Sequence, residues 1–151
     1  MKKIVIVLLY IFISSFSANA QTDSISQTAA QQEAAKKVAV KWFSLLAQGR
    51  NVDSLLRISK TPFALDKVEI LNTKDELRAF YNKVIAKKGQ RVIPKFTTKI
   101  VGSRYEIIET CIPMNNLIIE LRMLEGVFKG DRVLICVEIS GKELKIIGFA
   151  D

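Results

Sequence analysis

The sequence contains no histidine, which removes several kinds of active site at once. Serine–histidine–aspartate and cysteine–histidine nucleophiles, histidine proton shuttles and histidine-ligated metals all need an imidazole. The two cysteines are too few for a four-thiolate zinc site. The chain also lacks the glycine-rich phosphate-binding motifs, the nucleophile elbow and the acidic calcium loop. We therefore expect neither a metal nor a cofactor.

The 151-residue chain begins with a segment that is typical of a secretory signal. Lys2 and Lys3 precede an apolar run at 4–13, and Ala-Asn-Ala at 18–20 is a small-residue cleavage site. An apolar helix of this length rises about 15 Å, roughly half the thickness of the hydrocarbon core, which favours a cleaved signal over a membrane anchor. We expect an exported protein, periplasmic or secreted, that does not insert into a membrane after residues 1–20 are removed.

The remaining chain has the length of one domain. Residues 21–30 are small and polar and are expected to form a flexible lead-in to a domain spanning 31–151. Apolar side chains recur at helical spacing over 31–48, and Gly49 is a natural helix end. A second, short helix is predicted over 52–59.

The Thr61–Pro62 step is expected to end that short helix, because a residue before proline avoids the helical conformation. Residues 64–71 have strand character. Thr73 and Glu76 then form a capping box that opens a third helix, predicted to end near Lys88.

From Lys95 onward the apolar pattern alternates with a period of two, which indicates strands. The predicted strands are 95–101, 104–112, 117–124, 132–139 and 143–149. Their short connections favour an antiparallel meander, and helices on one face of such a sheet give an α+β domain.

This order of elements resembles the nuclear transport factor 2-like superfamily, also called cystatin-like or ketosteroid isomerase-like. The resemblance includes Trp-Phe-Ser-Leu-Leu-Ala-Gln-Gly at 42–49 and Asn-Val-Asp-Ser-Leu-Leu at 51–56. Thr-Pro-Phe at 61–63, before a strand and a third helix, and Gly-Lys-Glu-Leu at 141–144 with Asp151 continue it. The resemblance implies a cone in which three N-terminal helices pack on a curved antiparallel sheet around a pocket.

The superfamily includes isomerases, dehydratases and polyketide cyclases as well as members without known catalysis, so the fold alone does not choose the function. Its isomerase branch uses a tyrosine and an aspartate as proton donors with a carboxylate base, and no residue here aligns with those donors. Its dehydratase branch pairs a histidine with an aspartate, and this chain has no histidine.

Asp66 is the candidate catalytic residue. In a strand over 64–71 it shares a face with Ala64, Val68 and Ile70, where desolvation would raise the pKa of its carboxyl group and suit it to general-base work. The alternative is a turn residue that faces water.

Five aromatic residues are candidates for the walls of an apolar pocket, with core packing as the alternative interpretation for each. They are Trp42, Phe63, Phe80, Tyr81 and Phe96.

Residues 74–104 contain nine basic and two acidic residues, which accounts for most of the net charge of +8. If they form one surface, this basic flank would bind anionic lipid, polysaccharide or nucleic acid; the alternative is a solvated face. No nucleic-acid-binding signature accompanies it, so no nucleic acid is expected. The flank is defined by Lys74, Arg78, Lys88, Lys95 and Lys99.

Two further predictions concern the strands. Cys111 and Cys136 lie on different predicted strands and could form a disulfide in an oxidising compartment, or remain two small buried side chains. Apolar residues also occupy the strand face opposite Val133, Ile135 and Val137, which predicts a homodimer formed through the sheet. The residues predicted on this opposite face are Ile108, Ile118, Leu124, Leu134, Ile147 and Phe149.

Three functions are compatible with these patterns. The first is a non-catalytic binding or interaction module with a small apolar pocket. The second is an isomerase or dehydratase-like enzyme that uses Asp66. The third is an anionic-surface binder that uses the basic flank.

If the signal is cleaved as predicted, the exported protein begins at Gln21. N-terminal sequencing, or the intact mass of protein recovered from the exported fraction, measures this directly. A mature chain that still begins at Met1 would contradict the prediction.

Overall fold

The structure is a computed structural model that describes residues 28–49, 51–66, 69–88, 93–102, 116–126 and 129–151. The described residues form three helices and a six-stranded sheet in the order helix, helix, two strands, helix, four strands. The predicted signal at 1–20, the predicted strand at 104–112 and Cys111 lie outside the described residues.

The helices α1 (Ala29–Gln48), α2 (Val52–Ile58) and α3 (Lys74–Lys88) agree with the periodicity of the sequence. Gly49 ends α1 in the left-handed conformation with φ of 64°, which a residue without a Cβ adopts at little cost. Helix α1 begins two residues earlier than predicted, because Thr28 and Gln31 form a capping box that the sequence analysis missed.

The predicted capping box of α3 is confirmed. The Glu76 amide donates to Thr73 Oγ1 at 3.2 Å, and Glu76 Oε2 accepts from the amides of Thr73 at 3.0 Å and Asn72 at 2.7 Å. These amides hold the pKa of Glu76 below its ordinary value of 4.5, because they stabilise the ionised carboxylate.

Six strands form one curved, open sheet in the order β2-β1-β6-β5-β4-β3. Most neighbours are antiparallel, but β1 runs parallel to β6, so the sheet is mixed rather than wholly antiparallel. The strands are β1 (Ser59–Leu65), β2 (Glu69–Leu71), β3 (Phe96–Gly102), β4 (Asn116–Met123), β5 (Arg132–Ser140) and β6 (Glu143–Ala150).

The predicted strand over 64–71 is wrong in its bounds. A strand already begins at Ser59 and ends at Leu65, a turn follows, and a three-residue strand pairs back antiparallel. The Thr61–Pro62 step lies inside β1, where pairing with β6 is irregular between Ser59 and Ala64. Proline has no amide hydrogen and is tolerated at such an interruption.

The three helices cover one face of the sheet, and the core lies between them. Helix α1 presents Ala35, Ala39 and Trp42 to this core, each with no exposed surface. The small alanines allow the helix to approach the strands closely, and the indole then reaches the centre of the domain. The α+β fold with three helices packed on a curved sheet is therefore confirmed.

A bulge in β6 changes which side chains enter the core. Ile146 pairs with Val137 and Gly148 pairs with Cys136, so Ile147 is an extra residue in β6. The assignment of Phe149 to the face away from the helices is therefore wrong: the bulge reverses the alternation, and Phe149 packs against the main core.

The sheet face away from the helices, here called the outer face, has an apolar centre. Ala64 and Ile118 pack there with Leu134 and Ala150. Ile118 is 6% exposed and Cys136 is 5% exposed within this single chain. No helix in the described part of the chain combines the length and apolar character that a membrane crossing needs.

The Glu76→Gln variant should lose less stability on acidification than the wild-type protein. A lowered pKa in the folded state gives stability that is present above the ordinary pKa and is lost as the pH falls through the lowered value. Glutamine keeps the cap acceptor but does not titrate. Urea unfolding at about pH 6 and about pH 3 measures the difference.

The matched control is the capping box of α1, whose acceptor is the neutral Gln31. Gln31→Ala should reduce stability by a similar amount at both pH values. Equal acid sensitivity of Glu76→Gln and the wild-type protein would contradict the role given to the Glu76 carboxylate.

Candidate functional site

Five aromatic rings from four elements meet between the helices and the sheet. This aromatic cluster consists of Trp42 of α1, Phe63 of β1, Phe80 and Tyr81 of α3, and Phe149 of β6. Trp42 is central, with ring centroids 5.1 Å from Phe149, 6.3 Å from Phe63 and 6.4 Å from Tyr81. Phe80 lies 5.6 Å from Tyr81 and 6.0 Å from Phe149. Tilted and edge-on contacts at such distances are favourable for aromatic pairs.

The cluster has a closed centre and an accessible edge. Trp42, Phe63 and Tyr81 have no exposed surface, whereas Phe80 and Phe149 are half-buried neighbours. Four of the five predicted pocket residues are thus brought together. Phe96 belongs elsewhere, because its ring packs edge-on against Phe43 at 5.7 Å.

A chain of hydrogen bonds crosses the buried centre. Trp42 Nε1 donates to the Tyr81 hydroxyl at 2.9 Å, and Ser59 Oγ donates to the carbonyl of Leu55 at 2.8 Å. The hydroxyls of Tyr81 and Ser59 are 2.7 Å apart. Because Ser59 directs its only hydroxyl hydrogen to Leu55, Tyr81 must be the donor between them. Every donor in the chain therefore has an acceptor.

Ser59 was missed by the sequence analysis, which assigned it to the end of a helix. It follows α2 directly, and its hydroxyl satisfies a carbonyl of the last helical turn that has no amide partner within the helix. A serine four residues after a buried leucine is a weak signal for this role. Tyr81 then extends the same contact to α3.

The burial of Tyr81 raises the pKa of its phenol from 10.0 to about 12, although its hydrogen bonds with Ser59 and Trp42 oppose the shift. A phenol with so high a pKa remains neutral at physiological pH. Its hydrogen is already donated to Ser59, so Tyr81 cannot donate to a second oxygen unless this chain rearranges.

Asp66 does not occupy the predicted core face of a strand. It is exposed in the turn after β1, in the left-handed conformation with φ of 49°. Its amide donates to the Phe149 carbonyl at 2.9 Å, and its Oδ1 accepts from the Asp151 amide at 3.3 Å. The strand ends at Leu65, one residue before Asp66, so the side chain of Asp66 faces solvent. The burial that a general-base role for Asp66 required is therefore absent.

The basic flank is divided between two ends of the sheet. Helix α3 carries Lys74 and Arg78 and packs beside β1 and β2, whereas Lys95 and Lys99 lie at the opposite edge, before and within β3. Five strand spacings across the sheet amount to roughly 24 Å. The side chain of Lys88 is outside the described part of the structure.

Carboxylates from other segments also neutralise part of the flank. Arg78 pairs with Asp53 at 2.9 Å, and Lys95 pairs with Glu125 at 3.5 Å. The sequence count of nine basic residues against two acidic ones therefore does not describe one continuous surface.

Cys136 is buried on the outer face of β5, beside Gly148 of β6 and Ile118 of β4. Its predicted partner Cys111 is outside the described residues, so the disulfide stays a prediction.

No protein-family model matches the chain, and no curated protein matches it. Solved structures do match its fold. A proposed aromatic ring hydroxylase from Novosphingobium aromaticivorans is 14% identical, with a TM-score of 0.51 over 82% of this chain and 90% of its own. A five-substitution variant of a protein called Rd1NTF2_05 is 12% identical, with a TM-score of 0.50 over 80% of this chain and 97% of its own.

A protein from Silicibacter pomeroyi, described as NTF-2 like and of unknown function, is 14% identical, with a TM-score of 0.46 over 82% of this chain and 97% of its own. At the level of the fold, the match to the Rd1NTF2_05 variant confirms the resemblance to the nuclear transport factor 2-like superfamily. Sequence identities of 12–14% show a similar fold and do not indicate a shared activity.

The Tyr81→Phe variant should be less stable at neutral pH by about 1–3 kcal/mol, because the buried Trp42 N–H loses its acceptor. The raised pKa of Tyr81 gives stability that is complete below pH 10 and is lost as the pH rises toward about 12. The stability of Tyr81→Phe should therefore decline less over this pH range than that of the wild-type protein. Urea unfolding followed by Trp42 fluorescence measures both effects.

Ser59→Ala is the control, because it breaks the same chain but keeps the phenol. The Ser59→Ala variant should still lose stability as the pH rises toward about 12. A Tyr81→Phe variant with the wild-type stability, or with the wild-type alkaline decline, would show that the hydrogen-bond chain does not stabilise the core.

Proposed function

We propose that the chain is an exported, non-catalytic binding module of the nuclear transport factor 2-like fold, and that it binds a small apolar ligand at the edge of the aromatic cluster. The observation that supports this most directly is the half-buried pair of Phe80 and Phe149, 6.0 Å apart, beside the closed centre around Trp42. Two adjoining aromatic faces provide apolar contact without a polar partner.

The chemistry of the interior supports binding rather than catalysis. The polar atoms of Trp42, Tyr81 and Ser59 are hydrogen-bonded to one another and to a backbone carbonyl. Glu120, the buried carboxylate of the described residues, lies on β4 opposite this interior and pairs with Arg122 at 3.1 Å.

Self-association through the outer face is the second part of the proposal. The apolar centre of that face lies between charged pairs, Lys60 with Glu138 on one side and Glu120 with Arg122 on the other. An apolar centre with a polar rim is the usual anatomy of a protein interface. The low exposure of Ile118 and Cys136 within one chain means that their burial does not itself require a second copy.

The enzyme hypothesis that uses Asp66 is not proposed further, because its carboxylate faces solvent. An anionic surface built from the flank at 74–104 is not proposed either, since that flank is divided.

An uncharged apolar probe, N-phenyl-1-naphthylamine, should bind saturably and quench the fluorescence of Trp42, which is the only tryptophan. Phe80→Leu and Phe149→Leu should each weaken binding about fivefold, equivalent to losing about 1 kcal/mol of apolar contact. Native mass spectrometry of the same preparation reports any co-purified ligand and the ratio of dimer to monomer.

Leu124→Ala is the matched control. Leu124 is 46% exposed and lies outside the cluster, so its truncation removes exposed apolar surface without changing the proposed site. Equal weakening by Leu124→Ala, or no saturable binding by the wild-type protein, would contradict the ligand site. A monomer at high concentration would contradict self-association.

A further inference from the structure

The side of the molecule that faces away from the sheet is formed by the outward faces of α1 and α3. These helices contact each other, with Trp42 packed against Tyr81, and both belong to the layer that covers one face of the sheet. Lys37 and Lys41 are exposed one turn apart on α1, and Lys83 and Lys87 are exposed one turn apart on α3. We call these four residues the helix-side lysines.

The helix-side lysines differ from most other cations of the domain. None of the four has a carboxylate within ion-pair distance among the described residues. Several other cations have such a partner, as Lys60 has Glu138 at 2.7 Å and Lys145 has Glu143 at 3.1 Å. Lys37 also interacts electrostatically with Glu33, one turn before it on α1, whereas no ion pair with a described carboxylate balances the charge of Lys41, Lys83 or Lys87.

The acidic residues of the same two helices lie near the N-terminal ends of the helices. Each of them either has a partner already or lies away from the helix-side lysines. Glu33 pairs with Lys36 at 2.7 Å, and the Glu76 carboxylate closes the cap of α3. Asp75 is in the first turn of α3, whereas Lys83 and Lys87 are in its second half. The helix dipole favours this arrangement, in which acidic residues lie near the N-terminus of a helix and lysines lie nearer its C-terminus.

We propose that the helix-side lysines form a docking surface for an anionic phospholipid bilayer. Lys83 and Lys87 belong to the segment at 74–104, but this surface joins them to Lys37 and Lys41 of α1 and does not include Lys95 and Lys99 at the opposite edge of the sheet. Four lysines on the outward faces of two packed helices offer charge to a broad planar partner. Each lysine close to an anionic membrane surface contributes attraction that weakens with salt.

A membrane fits this surface better than a nucleic acid does. Proteins that bind single strands stack bases on exposed aromatic rings, and none of the described aromatic side chains is exposed. The four cations are lysines, which act as point charges and lack the planar fork that arginine uses for bidentate recognition of single phosphates or bases. Diffuse attraction to many headgroups requires only such point charges.

Co-sedimentation with vesicles tests the proposal. The wild-type protein should bind phosphatidylcholine vesicles that contain about 30% phosphatidylglycerol at low salt, should release them at high salt, and should not bind vesicles of phosphatidylcholine alone. Replacing all four helix-side lysines by glutamine should weaken this binding by roughly 100-fold or more, at about fivefold for each lysine. Circular dichroism verifies that the variant is folded.

The matched control removes the same charge from the sheet and its turns. Lys95, Lys99, Lys129 and Lys142 are all exposed, and changing them to glutamine should leave most of the vesicle binding intact. Equal loss in both fourfold variants would overturn the proposal, since net charge rather than location would then decide binding. Failure of the wild-type protein to bind anionic vesicles, or equal binding to a single-stranded oligonucleotide at the same salt, would also overturn it.

Discussion

One chain of buried hydrogen bonds joins the three helices that the structure describes. It runs from the indole of Trp42 on α1 through the phenol of Tyr81 on α3 to Ser59, whose hydroxyl closes the end of α2. Buried polar groups destabilise a core unless they are paired, and these groups pair with one another. The chain therefore fixes the relative positions of the helices while the aromatic rings around it bury apolar surface.

The strands determine how this centre is enclosed. Because β6 contains an extra residue at Ile147, Phe149 turns toward the helices and its ring lies 5.1 Å from Trp42. Its neighbour Phe80 stays half-buried, so the cluster has an edge that solvent can reach. The same interior thus provides both the rigid centre and the apolar edge on which the proposed ligand site depends.

The distribution of charge on the surface differs from the distribution of charge along the sequence. Arg78 and Lys95 are neutralised by Asp53 and Glu125, which come from outside the segment at 74–104. Exposed lysines of α1 and α3, which are distant in the sequence, instead form no ion pair with the described carboxylates. Both proposed sites involve α3, because Lys83 and Lys87 follow Phe80 of the cluster edge at i+3 and i+7.

The local features can be predicted from the sequence, because the helices, the helix end at Gly49, the capping box at Thr73 and the strand periodicity all follow from contacts within a few residues. These features were sufficient to predict the α+β fold and four members of the aromatic cluster. The role of Ser59, the inward turn of Phe149, the exposure of Asp66 and the division of the basic flank instead depend on how distant segments pack together. Each of these features depends on a bulge, a strand end or a partner that is distant in the sequence. Such long-range pairing cannot be predicted from the alternation of side chains along one segment.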